Sequence, residues 1–191
     1  MKKNKHQEKE RTMQVAKALI SGIGAALLVG GVVIFPGMVP LIKWIEKLSL
    51  NQPQKSRYAF ARLQKRGLVL VTKSPGSVKV TLAPEGKRLF SRYRLQDLTV
   101  VRPERWDTKW RLVMFDVPES RRIVRDSIRK NLARLGFATV QKSVYVHPYP
   151  CEEVITTLRE YYHLLPGQLY IFDATIKEGE QTLRRHFKLP F

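Results

Sequence analysis

Two sets of basic side chains in this chain are spaced to meet phosphate. Lys55, Arg57, Arg62, Lys65 and Arg66 decorate a predicted helix over residues 54–66, with Tyr58 among them. Lys73 and Lys79 flank the tip of a predicted β-hairpin just downstream. A helix with a basic, polar outer face fits the major groove of DNA, and its cations meet phosphates on either side. Lysines on a hairpin reach a neighbouring phosphate or the minor groove. Each phosphate neutralised releases counterion, so binding of this kind is strongly salt-dependent. The second set, Arg121, Arg125 and Arg129, falls one turn apart on the outer face of another predicted helix. It offers a further contact to the DNA backbone. The competing reading of both sets is a charged face that is merely solvated.

Other chemistry finds little footing. Cys151 stands near a predicted helix N-terminus, where a thiol pKa is lowered, but no base lies beside it in sequence and a structural role is the better expectation. One cysteine and four scattered histidines build no zinc pattern, and His147 before Pro148 reads as a turn residue. Neither a phosphate-binding P-loop nor a dinucleotide fingerprint is present. The single cysteine also excludes an internal disulfide and fits a reducing cytoplasm. The chain of 191 residues carries 35 Lys+Arg against 16 Asp+Glu, a net charge of +19. An imbalance this large calls for a polyanionic partner, either nucleic acid or an anionic membrane surface.

The elements that position these residues follow from periodicity and punctuation. Residues 1–12 form a basic tail without apolar periodicity and read as disordered. Residues 13–37 read as an apolar helix, and no charge occurs between Ala18 and Ile42. Two readings stand for it: burial against protein, or one membrane helix through residues 18–42 with the basic bulk in the cytoplasm. Gly22, Ala26 and Gly30 form a small-residue ridge that suits close helix approach in either setting. Residues 38–98 read as a unit of helix 39–48, turn 49–53, helix 54–66, strands 68–72 and 78–82, and a last helix from Pro84 to Tyr93. In the second helix Tyr58, Ala61 and Leu63 are the side chains available for packing. This order describes a winged helix-turn-helix. Residues 99–109 form a linker, which Trp106 and Trp110 pin to the domain beginning at residue 110.

Residues 110–175 are the most regular part of the chain. The apolar run 112–115 reaches Asp116 and stops at Pro118. Ser120 can cap a helix whose Val124, Ile128, Leu132 and Leu135 recur at helical spacing, and Gly136 sits where a terminating glycine belongs. A β-rich segment 137–146 comes next, as one bulged strand or two, then helix 152–162 and strand 168–174. The order β-α-β-(β)-α-β predicts a ferredoxin-like sandwich with two helices on one face of the sheet. Its open face needs cover, and a second copy of the chain is the expected one. Residues 176–191 are a charged tail with one short helix. The fold class is therefore α+β.

The segment WRLVMFDVPESRRIVRDSIRKNLARLGFATVQKSVYVHPYP closely resembles the central domain of the PaaX family of bacterial repressors. The family pattern W-x-L-V-x-F-D-V/I-P-E, a following R-x-x-R-D, L-G-F and a Q-x-S-V-W/Y-V strand stands here from Trp110 to Val146, with Ile128 in place of the usual leucine. That domain is itself similar to the second Cas protein of CRISPR adaptation, a dimeric ferredoxin-like nuclease. The resemblance implies a dimeric repressor acting on double-stranded DNA in the cytoplasm without a cofactor. It also implies an alternative, because in the CRISPR fold an aspartate at the place of Asp116 faces its dimer mate and holds Mg²⁺ or Mn²⁺, with Glu119 near enough to assist. The family's long C-terminal region is absent from this sequence, so no effector is implied.

Overall fold

The computed structural model describes residues 2–30, 32–48 and 53–190, which form two compact units, 1–94 and 95–191. Both mix helix and sheet, as an α+β chain should.

The first unit opens with α1 (Lys2–Gly30), followed by β1 (Val33–Phe35), α2 (Met38–Leu48) and α3 (Pro53–Lys65). A hairpin of β2 (Val69–Ser74) and β3 (Ser77–Leu82) comes next, then α4 (Pro84–Asp97). The sheet order is β1-β3-β2, all antiparallel, with Val33 opposite Val80 and Val71 on its other side. The expected turn at 49–53 lies, but for Pro53, outside the described residues.

α1 departs most from expectation. It starts well before Met13, through Lys, Glu and Gln residues that lose little freedom in a helix. It also ends earlier, and residues 33–35 turn into an edge strand. Val15, Leu19, Ile20 and Ile23 lie on one face of α1 and are buried with Leu41, Ile45, Phe60, Leu63, Val80 and Phe90. The run Glu10–Gly30 is long and apolar enough to cross a bilayer. In this structure the same run supplies one wall of the unit's core. The small residues serve that core: a Cβ at Gly22 would meet Leu48 and one at Gly24 would meet the Phe90 ring, while nothing approaches Gly30. The space is used for side chains of the same unit, whereas the predicted ridge extends to Gly30.

The second unit contains β4 (Trp110–Phe115), a 3-10 turn at Glu119–Arg121, α5 (Arg122–Arg134), β5 (Ala138–Gln141) and β6 (Val144–His147). It continues with α6 (Glu152–Tyr161), β7 (Leu169–Ala174) and α7 (Glu180–Phe187). The order is β5-β6-β4-β7, every pair antiparallel. Residues 138–147 are thus two strands, with a register shift at Thr139/Gln141. Val113, Phe115, Tyr145 and Leu169 meet Ile128, Leu132 and Leu135 of α5 and Val154, Ile155 and Leu158 of α6.

Ser120 does not cap α5. The 3-10 turn absorbs it, and the helix starts after Arg121 with no side-chain cap. The other end is as read: Gly136 adopts φ +87°, and the amides of Gly136 and Phe137 donate to Ala133 and Leu132.

On the opposite sheet face, Trp110, Leu112 and Val146 are covered by Tyr149, Leu183, Phe187 and Leu189, so α7 packs as part of the domain. Beyond that cover the same face exposes Met114 (39%), Tyr170 (44%) and Phe172 (43%). Their register, Met114 beside Tyr170 and Leu112 beside Phe172, makes them one apolar patch.

Candidate nucleic-acid interface

α3 sorts its residues cleanly. Ser56, Ala59, Phe60 and Leu63 recur every three or four positions and are buried. Lys55, Arg57, Tyr58, Arg62, Lys65 and Arg66 are all exposed. Tyr58 and Ala61 therefore face outward, contrary to the packing role expected of them. Ala59 and Phe60 take that role, because the helix phase places them beside Leu63 and Ser56. At about 100° per residue, Arg57 leaves on the flank away from Arg62 and Arg66. There it pairs with Glu46 of α2 at 2.8 Å. Arg62 and Arg66, with Tyr58, line a groove of roughly 470 Å³ whose other walls are Thr12, Met13 and Ala16 of α1 and Leu89 and Tyr93 of α4.

The hairpin turns tightly at Pro75-Gly76, with Gly76 at φ +72°. Lys79 pairs with Thr72 and with Ile34, so it stands in the middle of the sheet's outer face. Lys73 pairs with Val78, one residue out of phase, and leaves from the other face. The two lysines do not flank the tip together.

In the second unit the expected trio of arginines divides. Arg121 belongs to the 3-10 turn, and its guanidinium donates to the carbonyls of Tyr162 and His163. Arg125 and Arg129 follow the phase of α5, as does Arg122, which sequence reading does not single out. Arg125 pairs with Glu119, and Arg129 pairs with Asp126 at 2.9 Å. Asp116 is exposed at the end of β4, and its amide donates to Gln168. Among the described residues no group of three or more His, Cys, Asp or Glu side chains gathers anywhere. A hard divalent cation needs several oxygens, and Glu119, the second carboxylate of the turn, is held by Arg125.

Buried polar groups explain the rest of this unit. Arg111 is 5% exposed, with both Nη atoms on Asp107 and further bonds to the carbonyls of Lys109 and Pro148. Its hydrogen bond holds the Asp107 carboxyl down at about 2, against a smaller opposing effect of burial. His147 is buried against Phe137 and Phe187, and burial pushes its pKa down to about 4. Its Nδ1 accepts the Tyr149 amide. Cys151 is buried and its thiol is pushed up to about 12, first by burial and then by Glu152. A thiol in that state is inert.

Residues 103–185 match the family model of the PaaX protein central Cas2-like domain. The second unit is a PaaX-family central domain. The match begins before β4 and ends within α7, so it takes in both Asp107 and the helix that covers Trp110. PaaX-family proteins are in general transcriptional regulators. No curated protein matches the chain.

Proposed function

We propose that this PaaX-family chain is a sequence-specific, DNA-binding transcriptional regulator, a dimeric repressor in which the first unit reads DNA and the PaaX-type domain joins two copies. The first unit runs helix, strand, helix, helix, hairpin, with its short first strand beside β3. That is the order of a winged helix-turn-helix, with α1 as its first helix, α3 as the helix entering the major groove and β2–β3 as the wing. The observation that carries the reading is α3 itself. It is anchored by Ser56, Ala59, Phe60 and Leu63 and turns Lys55, Tyr58, Arg62, Lys65 and Arg66 to solvent. Lys79 and Lys73 serve opposite sides of the wing.

The four-stranded antiparallel sheet with α5 and α6 on one face fits a ferredoxin-like sandwich. The patch of Met114, Tyr170 and Phe172 supports a second copy as its cover. Two readers joined through that dimer then meet two half-sites, and a bound dimer blocks transcription from the cytoplasmic chromosome. Sequencing the DNA that co-purifies with the full chain tests this reading. Enrichment of sites with two-fold symmetry is expected, and recovery of random chromosomal fragments would overturn it.

One observation favours a membrane-tethered variant of the same regulator. Leu28, Val29, Ile34 and Val39, at the end of α1 and just beyond it, are exposed within the uncharged run 18–42. Replacing Leu28 and Val29 with Asp should leave the chain's fractionation unchanged if it is cytoplasmic, and should release it from membranes if it is tethered.

A further inference from the structure

A cleft of about 580 Å³ opens beside α5, lined by Glu119, Arg122, Arg125, Asp126, Arg129 and the β5–β6 turn at Lys142 and Ser143. Four cations face two carboxylates there, so the cleft keeps two positive charges in surplus. Its carboxylates are weak competitors for an incoming anion. Glu119 is 72% exposed in its pair with Arg125 and Arg122 is 74% exposed in its pair with Asp126, so both pairs are screened by water and salt. Arg125 adds a specific demand: its Nε is shielded from solvent and has no hydrogen-bond partner.

The walls are held in place before any ligand arrives. Arg129 Nε donates to the Lys142 carbonyl at 3.1 Å, and the Phe115 amide donates to the Ser143 carbonyl at 3.1 Å. The turn carrying Lys142 is therefore tied to α5 on one side and to β4 on the other. Guanidinium groups in a planar fork suit phosphate oxygens in particular.

We propose that this cleft binds a phosphate group, as the phosphodiester of a DNA backbone, through Arg122, Arg125 and Lys142. The DNA source rests on the DNA-binding reading above, whereas the phosphate chemistry does not. Arg121, turned away onto the carbonyls of Tyr162 and His163 just beyond α6, takes no part.

The test uses the full chain, its Arg122→Gln/Lys142→Gln variant, and two probes: a labelled mixed-sequence duplex of roughly 40 base pairs and inorganic phosphate. The variant replaces two exposed side chains and leaves the Arg125 and Arg129 pairs intact. With duplex, the log–log salt slope of the variant should be shallower by up to about 0.9, the share of the one phosphate that the cleft neutralises. Equal slopes and equal affinities would overturn the proposal while leaving the DNA-binding reading intact. If the unaltered chain does not bind duplex, that reading fails instead. Phosphate binding that disappears in the variant then supports the cleft as a site for a free phosphorylated ligand, and phosphate binding equal in both, or in neither, overturns it.

Discussion

Asp107 grips Arg111 through both carboxylate oxygens, at 2.7 and 2.6 Å, just where the chain enters the central strand β4 of the PaaX-type sheet. The arginine is buried and the aspartate half-exposed, so the pair fastens the segment before the domain to its first strand. Trp106, edge-on to Trp110 with centroids 5.0 Å apart, packs beside it. Removing the carboxylate leaves a buried guanidinium short of acceptors. Asp107→Asn should cost about 1–2 kcal/mol in urea unfolding, a value kept low because Asp107 is partly in water. The folded carboxyl sits near 2 and the unfolded one at 3.8. The pair's contribution is thus complete above about pH 4 and disappears as pH falls toward 2. The asparagine variant should lack that part of the acid transition.

His147 gives a second pH dependence, in a different window. Folded, the ring stays neutral down to about pH 4, while in the unfolded chain it takes a proton near 6.5. The His147 contribution to stability should decline as pH falls from 6.5 to 4, by at most roughly 3 kcal/mol, and change no further below that. A His147→Leu variant should show a flatter profile across that interval in thermal unfolding.

Cys151, with its thiol pushed up to about 12 and its side chain buried, should resist a maleimide reagent at pH 8 in the native protein. Full labelling in denaturant is the expected control, and rapid native labelling would contradict the burial.

The apolar sheet face predicts an oligomeric state. Light scattering should report a dimer, and Tyr170→Glu/Phe172→Glu should yield a monomer with an unchanged circular dichroism spectrum. The two side chains stack at 5.8 Å on the surface and support no core residue, so the fold should tolerate their loss.

Sequence reading reaches the PaaX-type domain because its signals are local. Ile128 and Leu132 mark the inner face of α5 within one helix, and Gly136 marks its end. It falls short where the deciding partner is distant in sequence or the helix phase is set by a turn. From Ala18 to Gly30 α1 is built from small and branched apolar residues on nearly all sides, so composition alone gives that stretch the look of a membrane helix. Only its packing against Leu41, Leu63 and Phe90 picks out Val15, Leu19, Ile20 and Ile23. β1 is three residues long and gains meaning only from β3. Spacing groups Arg121 with Arg125 and Arg129, but the 3-10 turn changes its direction and brings Arg122 into the row. Lys142, far along the chain, joins that row through the β5–β6 turn. The pattern R-x-x-R-x-x-x-R from Arg122 holds that row at the helix's own spacing.

In the proposed regulator α3 carries DNA recognition, and duplex binding by the full chain and its Arg62→Glu/Lys65→Glu variant decides the point. Both side chains are exposed and neither supports the core, so the variant should fold with an unchanged thermal midpoint. Its affinity for duplex at physiological salt should fall at least about 100-fold, because two phosphate contacts are replaced by repulsion. Affinity and salt dependence equal to those of the unaltered chain would rule out α3 as the helix that reads DNA.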